Sequence, residues 1–169
     1  ENTLDLAQYS EPYGLKKVYI TPSKPKVNKL VIESLRDADV IIGGPGDLYT
    51  NQLPVIIIPQ IKEALLESKA KKIFIANIAN KPFETKKFVL SDFVTAITNH
   101  MGTFPYDTII ANNNHSFPMP SKYKYKYIKI DEKIEAFKEV TLVKADIVRE
   151  AFPIYHDAQK LAEVVMKTV

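Results

Sequence analysis

Ala38-Asp39-Val40-Ile41-Ile42-Gly43-Gly44-Pro45-Gly46-Asp47-Leu48-Tyr49-Thr50-Asn51 is a strand-type apolar run that stops at three glycines and a proline. A short polar segment follows, and a helical pattern begins after Leu53-Pro54. Strand, glycine turn and helix in that order build a ligand site at the carboxyl end of a parallel strand in α/β proteins. Glycine permits positive φ and lets backbone N–H groups approach an anion closely. The same turn also serves as a plain connection that binds nothing, because its spacing is neither GxGxxG nor GxxxxGK[ST].

Outward from this turn, the chain alternates strand and helix signals. Residues 1–16 form an irregular lead-in, and Lys17-Val18-Tyr19-Ile20 predicts a short strand ended by Pro22 and Pro25. Val27, Leu30, Val31 and Leu35 fall at helical spacing. Val55 to Ile58 reads two ways: β-branched residues suit a strand, whereas Pro54 and Pro59 suit first turns of helices. Ile61, Leu65 and Leu66 carry a helix to about Ser68. Lys71 to Asn77 predicts a buried strand, followed by a polar loop to Thr85. Ser91-Asp92 opens a helix with Phe93, Ile97 and Met101 on one face and Gly102 at its end. Asp107 to Ala111 predicts a strand running into Asn112-Asn113-Asn114-His115. If these strands are parallel, right-handed crossovers put their three polar loops on one rim, around one site.

Residues 117–154 break this rhythm and read as an insertion or small β subdomain within a single domain over 1–169. Tyr123, Tyr125 and Tyr127 alternate with Lys122, Lys124 and Lys126, which describes a strand with one aromatic and one cationic face. Val140 to Val143 pairs with it or lies nearby. Asp157 to Lys167 closes the chain as a helix with Leu161, Val164 and Val165 inward. The expected fold is a three-layer, Rossmann-like α/β domain with a mainly parallel sheet and a small appended β segment.

Composition narrows the function classes. A chain of 169 residues with 46% apolar and 25% charged side chains is that of an ordinary soluble domain. A net charge of +3 is too mild to argue for nucleic acid. There is no cysteine, so disulfides, thiolate metal sites and a cysteine nucleophile are excluded, and a cytoplasmic setting is expected. No apolar run approaches the roughly 18 residues of a membrane span. His100 sits at a helix end, His115 in an asparagine-rich loop and His156 at the start of the last helix. None has the spacing of a metal site. No GxSxG elbow occurs, which leaves a hydrolase without a nucleophile.

Several ordered motifs carry a resemblance. Gly44-Pro45-Gly46-Asp47-Leu48-Tyr49-Thr50 followed by Leu53-Pro54 resembles the GPGSLYTS…LP pattern of the 2-phospho-L-lactate transferase-like (CofD-like) proteins, nearest their gluconeogenesis-factor (YvcK) branch. Lys81-Pro82-Phe83-Glu84-Thr85 resembles that branch's QPGET loop, and Ser91-Asp92 its SDH-type helix start. Tyr155-His156-Asp157-Ala158-Gln159-Lys160-Leu161 resembles its closing RHDPEKLA. The family's opening GGGTG motif does not occur, so the resemblance covers a carboxyl-terminal portion of the pattern. Phe83 stands in place of a glycine and Tyr155 in place of an arginine. The second exchange removes a bidentate phosphate partner that tyrosine does not replace.

The resemblance implies a nucleotide-binding cleft built from Gly44, Pro45, Gly46, Asp47, Tyr49 and Thr50. Backbone N–H groups would face phosphate there, and Asp47 would serve a ribose hydroxyl, a bridging Mg²⁺ or a helix cap. Asn77, Asn80, Glu84, Asn112 and Asn113 are further candidates at the strand ends, where asparagine also closes its own turns. Tyr155 and His156 join them, with a surface cap as the alternative for His156. The implied ligand is a nucleotide or a UDP-type nucleotide sugar, and the implied role is that of a regulator. A transferase would move 2-phospho-L-lactate from a guanosine diphosphate carrier to a deazaflavin, with Mg²⁺ as its cofactor. An RNA-binding or structural module using the lysine–tyrosine run is a third reading. A homo-oligomer is expected from an exposed sheet edge.

Overall fold

The computed structural model describes residues 9–10, 14–15, 17–131 and 134–169. In chain order it contains β1 (Tyr9–Ser10), β2 (Gly14–Leu15), α1 (Lys29–Asp37), β3 (Val40–Gly43), a π-type turn (Leu48–Gln52), α2 (Leu53–Ile56) and α3 (Pro59–Glu67). Then follow β4 (Lys71–Ile75), β5 (Ala79–Asn80), α4 (Leu90–Met101), β6 (Thr108–Asn112), a 3₁₀ turn (Ser121–Tyr123) and β7 (Lys126–Tyr127). A second 3₁₀ turn (Ile134–Phe137), β8 (Thr141–Ala145) and α5 (Ala158–Thr168) complete the chain.

β3, β4, β6 and β8 form one parallel sheet in that order. Alternate residues of its central strands enter opposite cores. Phe74, Ala76, Ile109 and Ala111 pack with Leu53, Leu65, Phe93 and Met101 on one face. Ile73, Ile75 and Ile110 meet Leu161, Val164 and Val165 of α5 on the other. Burial on both faces is why β4 and β6 read as unbroken apolar runs. Each fully buried aliphatic or aromatic side chain contributes about 1.5–3 kcal/mol, so layer packing outweighs strand propensity here. The expected three-layer α/β architecture is present, with small antiparallel pairs β1–β2 and β5–β7 beside the main sheet.

Helix ends follow the local chemistry. Asn28 Oδ1 accepts from Leu30 N–H at the start of α1, and Asp157 Oδ1 accepts from Gln159 and Lys160 N–H at the start of α5. Pro54 and Pro59 occupy first turns, which resolves the ambiguous run as helix up to Ile56. Gly102 ends α4 with φ +83°. No helix among the described residues is long and apolar enough to cross a membrane.

Three local expectations are corrected. Lys17–Ile20 is not a strand: Val18 N–H donates to His100 Nε2 at 3.0 Å instead of to a ladder partner. His100 lies in the last turn of α4, as expected, and its Nδ1 is 2.7 Å from Ala96 O. The lysine–tyrosine run is not one strand, because Ser121–Tyr123 coils into a turn and Lys124 is left-handed (φ 55°). Only Lys126–Tyr127 pairs, with Ala79–Asn80. Val140–Val143 does not join that run either. β8 lies parallel to β6 over Thr108–Asn112, where its half-buried side chains close the main sheet.

Candidate functional site

The loops after β3 and β4 meet above the sheet around a cavity of about 280 Å³. Its walls include Pro45, Gly46, Asp47, Asn77, Lys81, Tyr125, Tyr155 and His156. A second cavity of about 440 Å³ adjoins it, sharing Asp47, Lys81 and Tyr125. Thr50, Glu84, Lys122 and Tyr123 line that second space.

The glycine turn is fixed from within the chain. Gly44 has φ +83°, and an added Cβ would stand 2.7 Å from Ile75 O, so only glycine fits without strain. At Gly43 the Tyr106 ring occupies the space a Cβ would need. Gly46 differs, since a Cβ there would meet only ordinary contacts at 3.9 Å. Its N–H donates to Asn77 Oδ1 at 3.1 Å, and Gln52 Nε2 donates to its carbonyl at 2.6 Å. Tyr49 N–H and Thr50 N–H both donate to Glu84 Oε1, at 2.8 and 3.0 Å. Thr50 Oγ1 reaches the same oxygen at 3.3 Å. Three N–H groups expected to face phosphate thus already have partners in the chain. Glu84, 6% exposed, supplies the negative charge at this turn.

Electrostatics follow from this packing. Burial, with repulsion from Asp47, pushes the Glu84 carboxyl above its ordinary value, against the pull of the Tyr49 and Thr50 N–H groups and Lys81. The Lys81 ammonium is ion-paired with Asp47 Oδ2. Partial burial works to lower the Lys81 pKa, but the hydrogen bond and charge of Asp47 carry it above the usual lysine value. Burial, helped by Glu84 and Asp92, pushes Tyr49 to about 12. Tyr49 is packed edge-on to Phe88 and His100 and does not line the cleft.

The remaining candidates separate into two groups. Tyr155 is 56% exposed at the cavity rim and stacks on Phe152 at 5.3 Å. His156 is not a surface cap, a role Asp157 takes: its Nε2 lies 3.0 Å from Ala76 O, and burial holds its pKa below the ordinary histidine value against that hydrogen bond. By contrast, Asn80 Nδ2 donates to Phe88 O. Asn112 accepts from Ile147 N–H and Asn114 N–H. Asn113 donates its N–H to Ala145 O, with an exposed side chain. Neither cavity is lined by these three, which close the turns that sequence alone left open.

Lys81 and Tyr125, which line both cavities, and Lys122 and Tyr123, which line the second, are not among the candidates read from the sequence. Lys81 stands inside the quoted loop but was overshadowed there by Glu84. Tyr125 lies in the lysine–tyrosine run, whose assumed strand geometry hid its position. Tyr125, Tyr123, Phe152 and Tyr155 form a row of rings with successive centroids 5.7, 5.9 and 5.3 Å apart.

The sequence pattern described as "2-phospho-L-lactate transferase CofD" matches residues 2–162. The chain belongs to the CofD family. It is 34% identical over 167 residues to a protein named "Gluconeogenesis factor" from Bacillus subtilis (strain 168), covering 91% of this chain and 51% of that protein. A "Putative gluconeogenesis factor" from Aquifex aeolicus is 33% identical over 174 residues, covering 92% of this chain and 50% of its own length. A crystal structure of a UPF0052-family protein from Bacillus halodurans superposes with a TM-score of 0.81 at 31% identity, covering 90% of this chain and 50% of that one. The chain spans about half the length of these two curated relatives, and it aligns with their carboxyl-terminal portion. In this CofD-family chain, the glycine turn, Asn77, Lys81 and the ring-lined wall thus come together on one rim of the sheet.

Proposed function

We propose that this CofD-family chain binds a nucleotide or a UDP-type nucleotide sugar in the cleft above β3 and β4, as a regulator of carbon metabolism or of the cell envelope. The observation that carries the reading is the joining of a fixed polar wall to a row of rings. Asn77, Asp47 and Lys81 offer an amide, an acceptor and a cation, while Tyr125 and Tyr155 offer faces for a base. The regulatory role rests on relatives named gluconeogenesis factor. A cytoplasmic setting accords with the absence of cysteine. Self-association accords with β3, an edge strand with exposed Ile42.

The matching family's name supports a second reading, 2-phospho-L-lactate transfer from a guanosine diphosphate carrier. Mg²⁺ would neutralise phosphate charge in such chemistry. Among the described residues two carboxylates line the cleft: Asp47, already engaged by Lys81, and Glu84, which is buried and bonded to the Tyr49 and Thr50 N–H groups. That fits an ion brought by the diphosphate better than one held by the protein.

Calorimetric titration with UDP-N-acetylglucosamine and with GDP, each with and without Mg²⁺, separates these readings. Binding of the uridine ligand without Mg²⁺ is expected. Binding of GDP alone, only with Mg²⁺, would favour the transferase. Silence towards both, with salt-sensitive RNA binding lost on replacing Tyr123 and Tyr125, would replace both readings with the third.

A further inference from the structure

We infer that the phosphate groups of a ligand in this cleft are read by the Lys81 ammonium, held in place by Asp47, and not by the backbone of the glycine turn. The inference rests on the nucleotide reading above and adds to it the residue that senses charge.

Three of the turn's backbone donors are already engaged. Gly46, Tyr49 and Thr50 N–H are paired with Asn77 and Glu84. An anion drawn to that backbone would also face the buried Glu84 carboxylate and Asp47, both of the wrong sign. Lys81 has the opposite character. It lines both cavities where they meet, and its side chain is 36% exposed. An ammonium carries three donors, and Asp47 occupies one of them. The other cation on these walls, Lys122, lies 4.6 Å from the centre of the Tyr123 ring and lines only the outer cavity.

The Asp47 pair also explains how a flexible lysine becomes a specific contact. Asp47 Oδ2 holds the ammonium and accepts from Thr50 Oγ1 at 3.5 Å, so the cation is placed before the ligand arrives. Ammonium and carboxylate side by side present a donor for phosphate next to an acceptor for a hydroxyl. A sugar-linked phosphate carries both groups.

The test titrates the wild-type chain, Lys81→Met and Lys81→Arg with UDP, uridine and inorganic pyrophosphate. Lys81→Met should weaken UDP and pyrophosphate about 10- to 100-fold, the range of a lost charge-assisted contact, while uridine stays within about twofold. It should also flatten the salt dependence of UDP binding, and Lys81→Arg should restore most of the affinity. Unchanged UDP and pyrophosphate affinity in Lys81→Met would overturn the inference and leave the nucleotide reading standing. Pyrophosphate bound through Lys81 as tightly as UDP would uphold the inference and sink the nucleotide reading. A wild-type chain that binds none of the three probes overturns both.

Discussion

The two walls of the cleft are built on different principles. The glycine-turn wall is tied by hydrogen bonds that span the chain, from Gly46 to Asn77 and from Tyr49 and Thr50 to Glu84. Leu48, Tyr49 and Leu53 are buried beneath it. The other wall, Ser121 to Tyr127, has a two-residue pairing with β5, one hydrogen bond from Tyr127 Oη to Phe117 O, and ring contacts of Tyr123 with Phe152 and of Tyr127 with His115. A buried polar group left unpaired costs about 1–3 kcal/mol, and an aromatic pair is worth about 0.5–1.5 kcal/mol. The first wall is therefore preorganised, and the second is the one that can adjust to a ligand.

Gly44→Ala should break the rigid wall most severely. Positive φ alone costs about 1–3 kcal/mol for a non-glycine residue, and the approach to Ile75 O adds to it. Gly46→Ala, two residues away, should change stability by less than about 0.5 kcal/mol. Chemical denaturation of both variants checks the contrast, and equal losses would refute it. Glu84→Ala comes next, at about 1–3 kcal/mol, because it strands the buried Tyr49 N–H, whereas the Thr50 N–H is only part-buried. Tyr123→Ala should cost less, about 1 kcal/mol for its lost ring contacts, and act mainly on ligand affinity. An effect larger than that of Glu84→Ala would reverse the ranking of the walls.

The smallest expected effect concerns pH. Glu84 has a folded pKa above its unfolded value of about 4.3, so the folded chain binds this proton more tightly. Its stabilising contribution is present below that unfolded value and is lost as pH rises through the raised folded one. Glu84→Gln keeps an acceptor for Tyr49 and Thr50, whose bonds to Glu84 all go to Oε1. The variant should flatten the decline in stability that sets in as pH rises above the ordinary carboxylate range, read in thermal melts. An unchanged slope would place the decline elsewhere.

The same contrast governs what the sequence makes legible. Val40–Gly43, Lys71–Ile75 and Thr108–Asn112 are readable because each is an unbroken apolar or polar-ended run bounded by turn residues. Gly44 announces its geometry, since few other residues tolerate it. The lysine–tyrosine run misleads: its period of two describes a strand, yet Lys124 takes a left-handed conformation that no composition signals. The spacing of Leu30 and Val31 gives the helix α1 correctly, although both side chains are exposed, 66% and 41%. Contacts distant in sequence stay hidden. Val18 to His100 spans 82 positions and Lys81 to Asp47 spans 34, so neither leaves a local pattern. The amides of Asn80 and Asn112 go to neighbouring backbone, the turn-closing alternative that the sequence left open.

The most direct test of the cleft assignment is a residue-resolved NMR titration of the chain with UDP-N-acetylglucosamine. The account predicts saturating shifts at Gly46, Asp47, Asn77, Lys81, Tyr125 and Tyr155, with Asn113 and the opposite end of the sheet around Lys71 and Thr141 unmoved. Saturating shifts confined to that opposite end, with the rim residues silent, would contradict it.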